Sequence, residues 1–221
     1  MRTEVSQKRV RVYAGGQLVA DSRSPRLVWE IPYYPTYYLP AADVLASLRP
    51  AADDTFDVVL GDVVVPGAAK RTDDLVRLDF GAMDEWLEED EPIYVHPRDP
   101  YKRVDILASS RHVEVRVDGV TVADSHQPRI LFETSLPPRY YLPLADVRMD
   151  LLGRSDTRTS CPYKGTAEYW HVGKHEDIVW IYRTPLPESQ KVTGLACFYN
   201  EKVDIYLDGE LQDRPHSPFS D

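Results

Sequence analysis

The stretch SCPYKG, residues 160–165, brings a cysteine and a lysine within three positions of each other. If Cys161 to Lys164 forms a β-turn, Pro162 takes the second position, where its fixed φ is favoured, and the thiol and ammonium groups share one corner. A cation beside a thiol stabilises the thiolate, which is the nucleophilic form. If the segment is extended, the two side chains lie on opposite faces, and a buried structural cysteine is the alternative.

A charged pair on a short strand supplies a candidate proton carrier. In RILFE, Arg129 and Glu133 share one strand face and their Cα atoms stand about 13 Å apart, too far for a direct bridge. Each therefore needs another partner, which we expect either within the pocket or across the interface between the units. An ion pair to a neighbouring strand or to Asp146 is the structural alternative, and it is favoured because Arg26 and Glu30 repeat the pair in the first copy. A carboxylate among aromatic side chains can act as an acid or a base.

Aromatic residues cluster around the same segments and either line a concave site or fill a core. Trp180 and Tyr182 alternate onto one strand face, which predicts one packed cluster. The candidate ligand-binding residues are Arg129 and the aromatic residues Tyr140, Tyr141, Tyr163, Trp170 and Trp180.

The chain contains an internal duplication that decides where these residues belong. Residues 10–44 align with residues 113–147 at a constant offset of 103 and without a gap, and they share the runs VADS and YYLP. Pro92, Pro97 and Pro100 punctuate the region between the copies. We expect one unit over residues 1–100 and a second over 101–221; only the second carries CPYKG.

The predicted secondary structure is mainly short antiparallel strands. VEVRVDGVTVADS alternates apolar and polar residues on both sides of Asp118-Gly119, which is a hairpin pattern. One short helix is predicted in PLADVRMDLLG, with Pro143 before it and Gly153 as its stop.

Composition narrows the classes of function. A formal charge of −10 disfavours nucleic acid as a partner, and no apolar run is long enough for a membrane helix, so the expected location is cytoplasmic. Two cysteines without a CxxC pair, and His171 and His175 flanking a turn, give no expected metal site or cofactor.

Several ordered motifs resemble one bacterial family. The runs VADS, YYLPxADV, CPYKGxAxYW and CFYNEKVDIYLDG are similar to those of the domain-of-unknown-function family 427 in its tandem form. The resemblance implies two β-tent-like domains, in which a pair of sheets opens like a tent. The family sometimes carries a nucleotidyltransferase label, but the sequence has neither a P-loop nor a Gly-Ser followed by spaced aspartates.

The leading hypothesis is that the second unit binds an unknown small molecule in an aromatic-lined cleft. Catalysis would extend it, with Cys161 as nucleophile, Lys164 as activator and Glu133 as proton carrier. The alternative is a non-catalytic interaction or structural module, with a second copy of the chain in a homodimer as one partner. Nucleotidyltransferase-like activity is the third hypothesis.

Overall fold

A computed structural model describes residues 2–220. The chain is 53% strand and 8% helical, and its four antiparallel sheets form two halves. It divides into two compact units between Asp99 and Pro100. Each unit has one seven-stranded and one four-stranded sheet. The mainly β fold predicted from the sequence is confirmed.

The first unit contains eleven strands, ordered β1-β4-β5-β9-β8-β7-β6 in the large sheet and β11-β10-β2-β3 in the small one. Their bounds are β1 Arg2–Val5, β2 Val10–Ala14, β3 Gln17–Ser22, β4 Arg26–Trp29, β5 Thr36–Pro40, β6 Ser47–Pro50, β7 Phe56–Leu60, β8 Val63–Thr72, β9 Leu75–Leu78, β10 Glu85–Glu88 and β11 Glu91–Ile93.

The second unit repeats this order strand for strand, as β12-β15-β16-β20-β19-β18-β17 and β14-β13-β21-β22. Its strands are β12 Val104–Ala108, β13 Val113–Val117, β14 Val120–Ser125, β15 Arg129–Glu133, β16 Arg139–Leu142, β17 Leu152–Cys161, β18 Gly165–Val172, β19 His175–Tyr182, β20 Ala196–Phe198, β21 Asp204–Leu207 and β22 Glu210–Leu211. The duplication seen in the sequence therefore extends to the topology.

Hairpins shape both small sheets. The predicted turn between β13 and β14 is confirmed: Asp118 and Gly119 both have positive φ, 49° and 80°, as a type I′ turn requires. The first unit has Gly15 and Gly16 at this turn. A bulge lies between Val115 and Arg116, and a matching one between Val12 and Tyr13. Each bulge shifts the pairing of the two strands by one residue on the side away from the turn.

Each large sheet has an inner face that packs against the small sheet of its own unit. In the second unit this inner core joins Val113 and Val115 of β13 to Leu142, Val179 and other residues of the large sheet. The first unit has a matching core. Alternation along the strands sends the intervening side chains to the outer face.

The helix predicted over PLADVRMDLLG is present only as two 3-10 turns, Leu144–Asp146 and Met149–Leu151. Arg148 N–H donates to the carbonyl of Val122, and Val147 forms a bridge with Ala123 of β14. Pairing with a strand therefore interrupts the helical hydrogen bonds. Gly153 lies inside β17 rather than ending a helix. The remaining 3-10 helices are Ala41–Asp43, Phe80–Ala82 and Pro187–Val192.

The two units differ most in the connection that leads into the final strand, in chain order, of the large sheet. In the first unit, residues 73–74 connect β8 to β9, whereas in the second, residues 183–195 connect β19 to β20. We call residues 183–195 the cover segment. Its Val192 is fully buried and packs on the outer face of the large sheet.

Candidate functional site

The predicted turn after Cys161 is confirmed. Pro162 to Lys164 form the turn, and Cys161 pairs with Gly165 across the hairpin of β17 and β18. Gly165 has a φ of +96°, and an added Cβ there would meet the carbonyl of Thr184 at 3.4 Å. A glycine is thus required both by the turn and by the close approach of the cover segment.

Lys164 is paired with Glu133 at the end of β15. Its Nζ lies 2.5 Å from Glu133 Oε2, and the two side chains are 12% and 10% exposed. The cover segment holds this turn from above: Leu186 N–H donates to the Lys164 carbonyl, and Ser189 Oγ donates to that of Tyr163. The positive charge of Lys164, the proposed activator of Cys161, is therefore matched by a carboxylate.

Beneath this ion pair, the outer face carries a packed group that we call the outer cluster. It consists of Ile106, Leu131, Tyr141, Ala167, Tyr169, Trp180, Tyr182, Val192 and Cys197. Trp180 Nε1 donates to Tyr141 Oη at 3.1 Å, and the two rings meet edge to face. Trp180 and Tyr182 share this face, as predicted.

Burial sets the protonation of the outer cluster. Desolvation raises the pKa values of the Tyr141 and Tyr182 phenols well above their ordinary value. Desolvation likewise raises the pKa of the Cys197 thiol, since the thiolate would be buried completely. Cys197 is therefore a neutral packing residue and no nucleophile, whereas Cys161 is partly exposed.

Sequence reasoning missed a buried ion pair beside the outer cluster. Arg139 donates to both carboxylate oxygens of Glu201, at 2.6 and 2.7 Å, and its guanidinium stacks over Trp180 at 5.6 Å. Burial opposes the charge of Glu201, but hydrogen bonds from Arg139 and Ser217 outweigh burial and lower the pKa of this carboxyl. One signal in the sequence could have pointed to it. The first unit has Thr36 at the position that aligns with Arg139, so this arginine is specific to the second unit.

The structure separates some of the predicted ligand-binding residues. Tyr141 and Trp180 lie on the outer face with Glu133 and Lys164, and Tyr163 lies in the neighbouring turn. Tyr140 and Trp170 instead pack with the inner core. Adjacent residues such as Tyr140 and Tyr141 point to opposite faces of a strand, so they cannot line one cleft.

Arg129 lies at one end of the outer face, where it pairs in register with Tyr141 and with Ala108. A cavity of about 310 Å³ is lined there by Ala108, Arg129 and Lys191 of the cover segment. Lys191 Nζ donates to the carbonyl of Ile106 at 3.2 Å. No carboxylate from residues 2–220 forms an ion pair with Arg129.

In the first unit, the glutamate at the end of the corresponding strand has a different cationic partner. Glu30, the counterpart of Glu133, lies 3.2 Å from Arg77 Nε and accepts a hydrogen bond from Tyr38 at 2.8 Å. Burial, together with this hydrogen bond, raises the pKa of Tyr38 to about 12. Register places Arg77 opposite Tyr38, just as Cys197 lies opposite Tyr141. A cysteine thus stands in the second unit where the first has its cation.

Comparison with known proteins identifies the family. No curated protein matches the sequence, and none of the helices in residues 2–220 is long and apolar enough to cross a membrane. A family model described as "Domain of unknown function (DUF427)" matches residues 2–64 and 105–209, one segment in each unit. The chain belongs to this family and carries its domain twice.

Proposed function

We propose that the second unit binds a small organic anion in the cavity beside Arg129, on the outer face of its large sheet. One observation carries the proposal. Arg129 is half-buried, shares a cavity of about 310 Å³ with Lys191, and makes no ion pair with any residue from 2 to 220. Of the three residues that line this cavity, two are cations and none is a carboxylate.

The charges specify the ligand class. Partial burial of a guanidinium is costly unless an anion accepts its hydrogen bonds. The planar fork of Arg129 suits the two oxygens of a carboxylate or phosphate, and Lys191 retains two further donors after its bond to Ile106. The chain as a whole carries a net charge of −10, which repels anions elsewhere on its surface.

The outer cluster supports this site from below. Tyr141 and Leu131 are fully buried and hold β15 and β16 in place under Arg129. Because Tyr141 and Trp180 pack against each other, the aromatic residues form a rigid floor rather than an open slot. A volume of about 310 Å³ is at the lower end of the range for small-molecule sites.

Chemistry at Cys161 is an extension of this proposal that requires a further step. Lys164 would have to leave Glu133 before its charge could stabilise a Cys161 thiolate. Iodoacetamide labelling of the wild type and of Lys164→Met checks this step. A Cys161 that reacts at the same rate in both proteins would remove Lys164 as its activator.

Ligand binding is tested by titrating the full chain with inorganic phosphate, succinate and phenylacetate at constant ionic strength. We expect saturable binding of at least one anion by calorimetry and a rise in Tm. Arg129→Met should abolish it. Arg26→Met, at the matching position of the first unit, is the control and should leave binding intact.

Two results would overturn the proposal. The first is that none of the three anions binds to the wild type. The second is that Arg129→Met binds them as tightly as the wild type does. Either result would favour the alternative, a module that acts through a protein partner without a small ligand.

A further inference from the structure

Three metal-ligating side chains converge at the open end of the β13–β14 hairpin. Val113 pairs with Ser125, so the next pair outward is His112 and His126. Their rings stack with centroids 4.2 Å apart, and one nitrogen of His112 lies 2.8 Å from Asp124 Oδ1. One ligand atom from each of the three residues lies within 4.8 Å of the others.

The matching corner of the first unit holds no such set. The same register brings together Arg9, Asp21 and Arg23, and Arg9 donates to both oxygens of Asp21 at 2.7 and 2.5 Å. Both units anchor the backbone alike, since Arg9 N–H donates to Glu89 and His112 N–H donates to Asp208. The second unit thus keeps the carboxylate and replaces both fixed cations by imidazoles, which can coordinate a metal.

We propose that His112, Asp124 and His126 bind one divalent transition-metal ion, and we take Zn²⁺ as the test ion. Two imidazole nitrogens and one carboxylate oxygen favour Zn²⁺, Ni²⁺ or Cu²⁺ over Mg²⁺ or Ca²⁺, which take oxygen ligands. The carboxylate is 58% exposed and the His112 side chain 30% exposed, so His126, also exposed, can turn its ring from the stack toward the ion.

Neighbouring acids do not complete the coordination shell. Glu114 accepts bonds from Arg116 and Thr121, and the Asp208 carboxylate is held by Arg111 and the backbone of His112. Three protein ligands therefore face solvent, which leaves at least one coordination position for water or for a ligand atom. The site is in the second unit, but it lies on the hairpin of the small sheet and is independent of the cavity at Arg129.

The test is a Zn²⁺ titration of the chelator-treated full chain by calorimetry, with Co²⁺ absorption as a second readout of coordination geometry. We expect one equivalent bound. His126→Ala should weaken binding at least tenfold without affecting folding, because the side chain is exposed. His175→Ala removes a histidine that pairs with Asp118 elsewhere and should leave the affinity unchanged.

A matched gain of function sharpens the test. Arg9→His combined with Arg23→His recreates the three residues in the first unit, beside Asp21, and should raise the stoichiometry from one to two. A wild type that binds no stoichiometric Zn²⁺, or a His126→Ala variant that binds as tightly, would overturn the proposal. A stoichiometry of one in the double variant would contradict the claim that these three positions suffice.

Discussion

The two units share one strand order and differ in what covers the outer face of the large sheet. In the first, Glu30 at the end of β4 is held by Arg77 of β9, two strands away in the same sheet, and by Tyr38 of the intervening β5. In the second, a lysine from a distant hairpin turn takes over, and the cover segment closes over an aromatic cluster. The framework therefore does not depend on the cluster, and features confined to the second unit are the ones to test for function.

The largest difference we expect is between the two cysteines, both of which lie in the second unit. Cys161 is partly exposed, whereas Cys197 is fully buried, so alkylation of Cys197 requires the unit to open. With an ordinary stability, Cys197 should react at least about 10³-fold more slowly than Cys161. Peptide mapping after timed iodoacetamide treatment measures both rates, and comparable rates would mean that the outer cluster is not closed in solution.

The next largest effect concerns the buried ion pair. Arg139→Ala leaves Glu201 buried and uncompensated, which should lower the free energy of unfolding by about 3–5 kcal/mol. Thr36→Ala, the matched change in the first unit, should cost less than about 1 kcal/mol. Urea unfolding followed by hydrogen exchange in peptides from each unit separates the two. Equal costs would contradict the structural difference between the units at this position.

A smaller effect on stability is expected at the hairpin turns, and here the first unit should be the more sensitive of the two. A Cβ on Gly15, where φ is +57°, would lie 2.5 Å from Val63 Cγ2, so Gly15→Ala should cost about 1–3 kcal/mol. The second unit has Asp118 and His175 at these positions, joined by a 3.0 Å hydrogen bond. Asp118→Ala removes only this exposed contact and should cost less than about 1 kcal/mol.

The matched control for that prediction is Val63→Ala, which removes the two methyl groups that the new Cβ would meet. In this background Gly15→Ala should cost less than in the wild type, because only the backbone strain remains. An unchanged cost would show that strain alone makes the glycine necessary. Unfolding in urea measures both cycles.

The smallest effect is on pH dependence. The pKa of the Glu201 carboxyl is lowered on folding despite its burial, because Arg139 and Ser217 donate hydrogen bonds to it. Its contribution to stability is therefore fully present above the unfolded value of about 4.3 and is lost as the pH falls through the lower folded value. Glu201→Gln should therefore make the stability of the second unit fall less steeply as the pH drops below about 4.3. Hydrogen exchange in peptides of the second unit, followed as a function of pH, measures this slope. An unchanged slope would assign the acid sensitivity to other carboxylates.

Much of the fold could be predicted because its signals are either local patterns or a repeat visible within the chain itself. Alternation in VEVRV and the Asp118-Gly119 pair determined the hairpin, and the offset of 103 revealed two copies. The helix prediction failed because Val147 and Arg148 gain strand partners in β14 that no local pattern shows.

The candidate site was harder to predict because its contacts are distant in the chain. Lys164 and Glu133 are 31 positions apart, and no local rule pairs them. The two histidines at 112 and 126 come opposite each other only because the bulge after Val115 shifts the register by one residue. Without that bulge, counting outward from the turn would place His112 opposite Ser125.

The length of the cover segment determines what the enclosed face of the second unit costs in chain entropy. Its 13 residues, 183–195, occupy a hairpin connection that takes only residues 73–74 in the first unit. Loop-closure entropy rises with the logarithm of loop length, so this growth costs only about 1.7 kcal/mol. Burial of Val192 alone can offset that cost. A hairpin connection beside an established sheet can therefore be 11 residues longer at little cost in stability when the longer connection buries an apolar side chain.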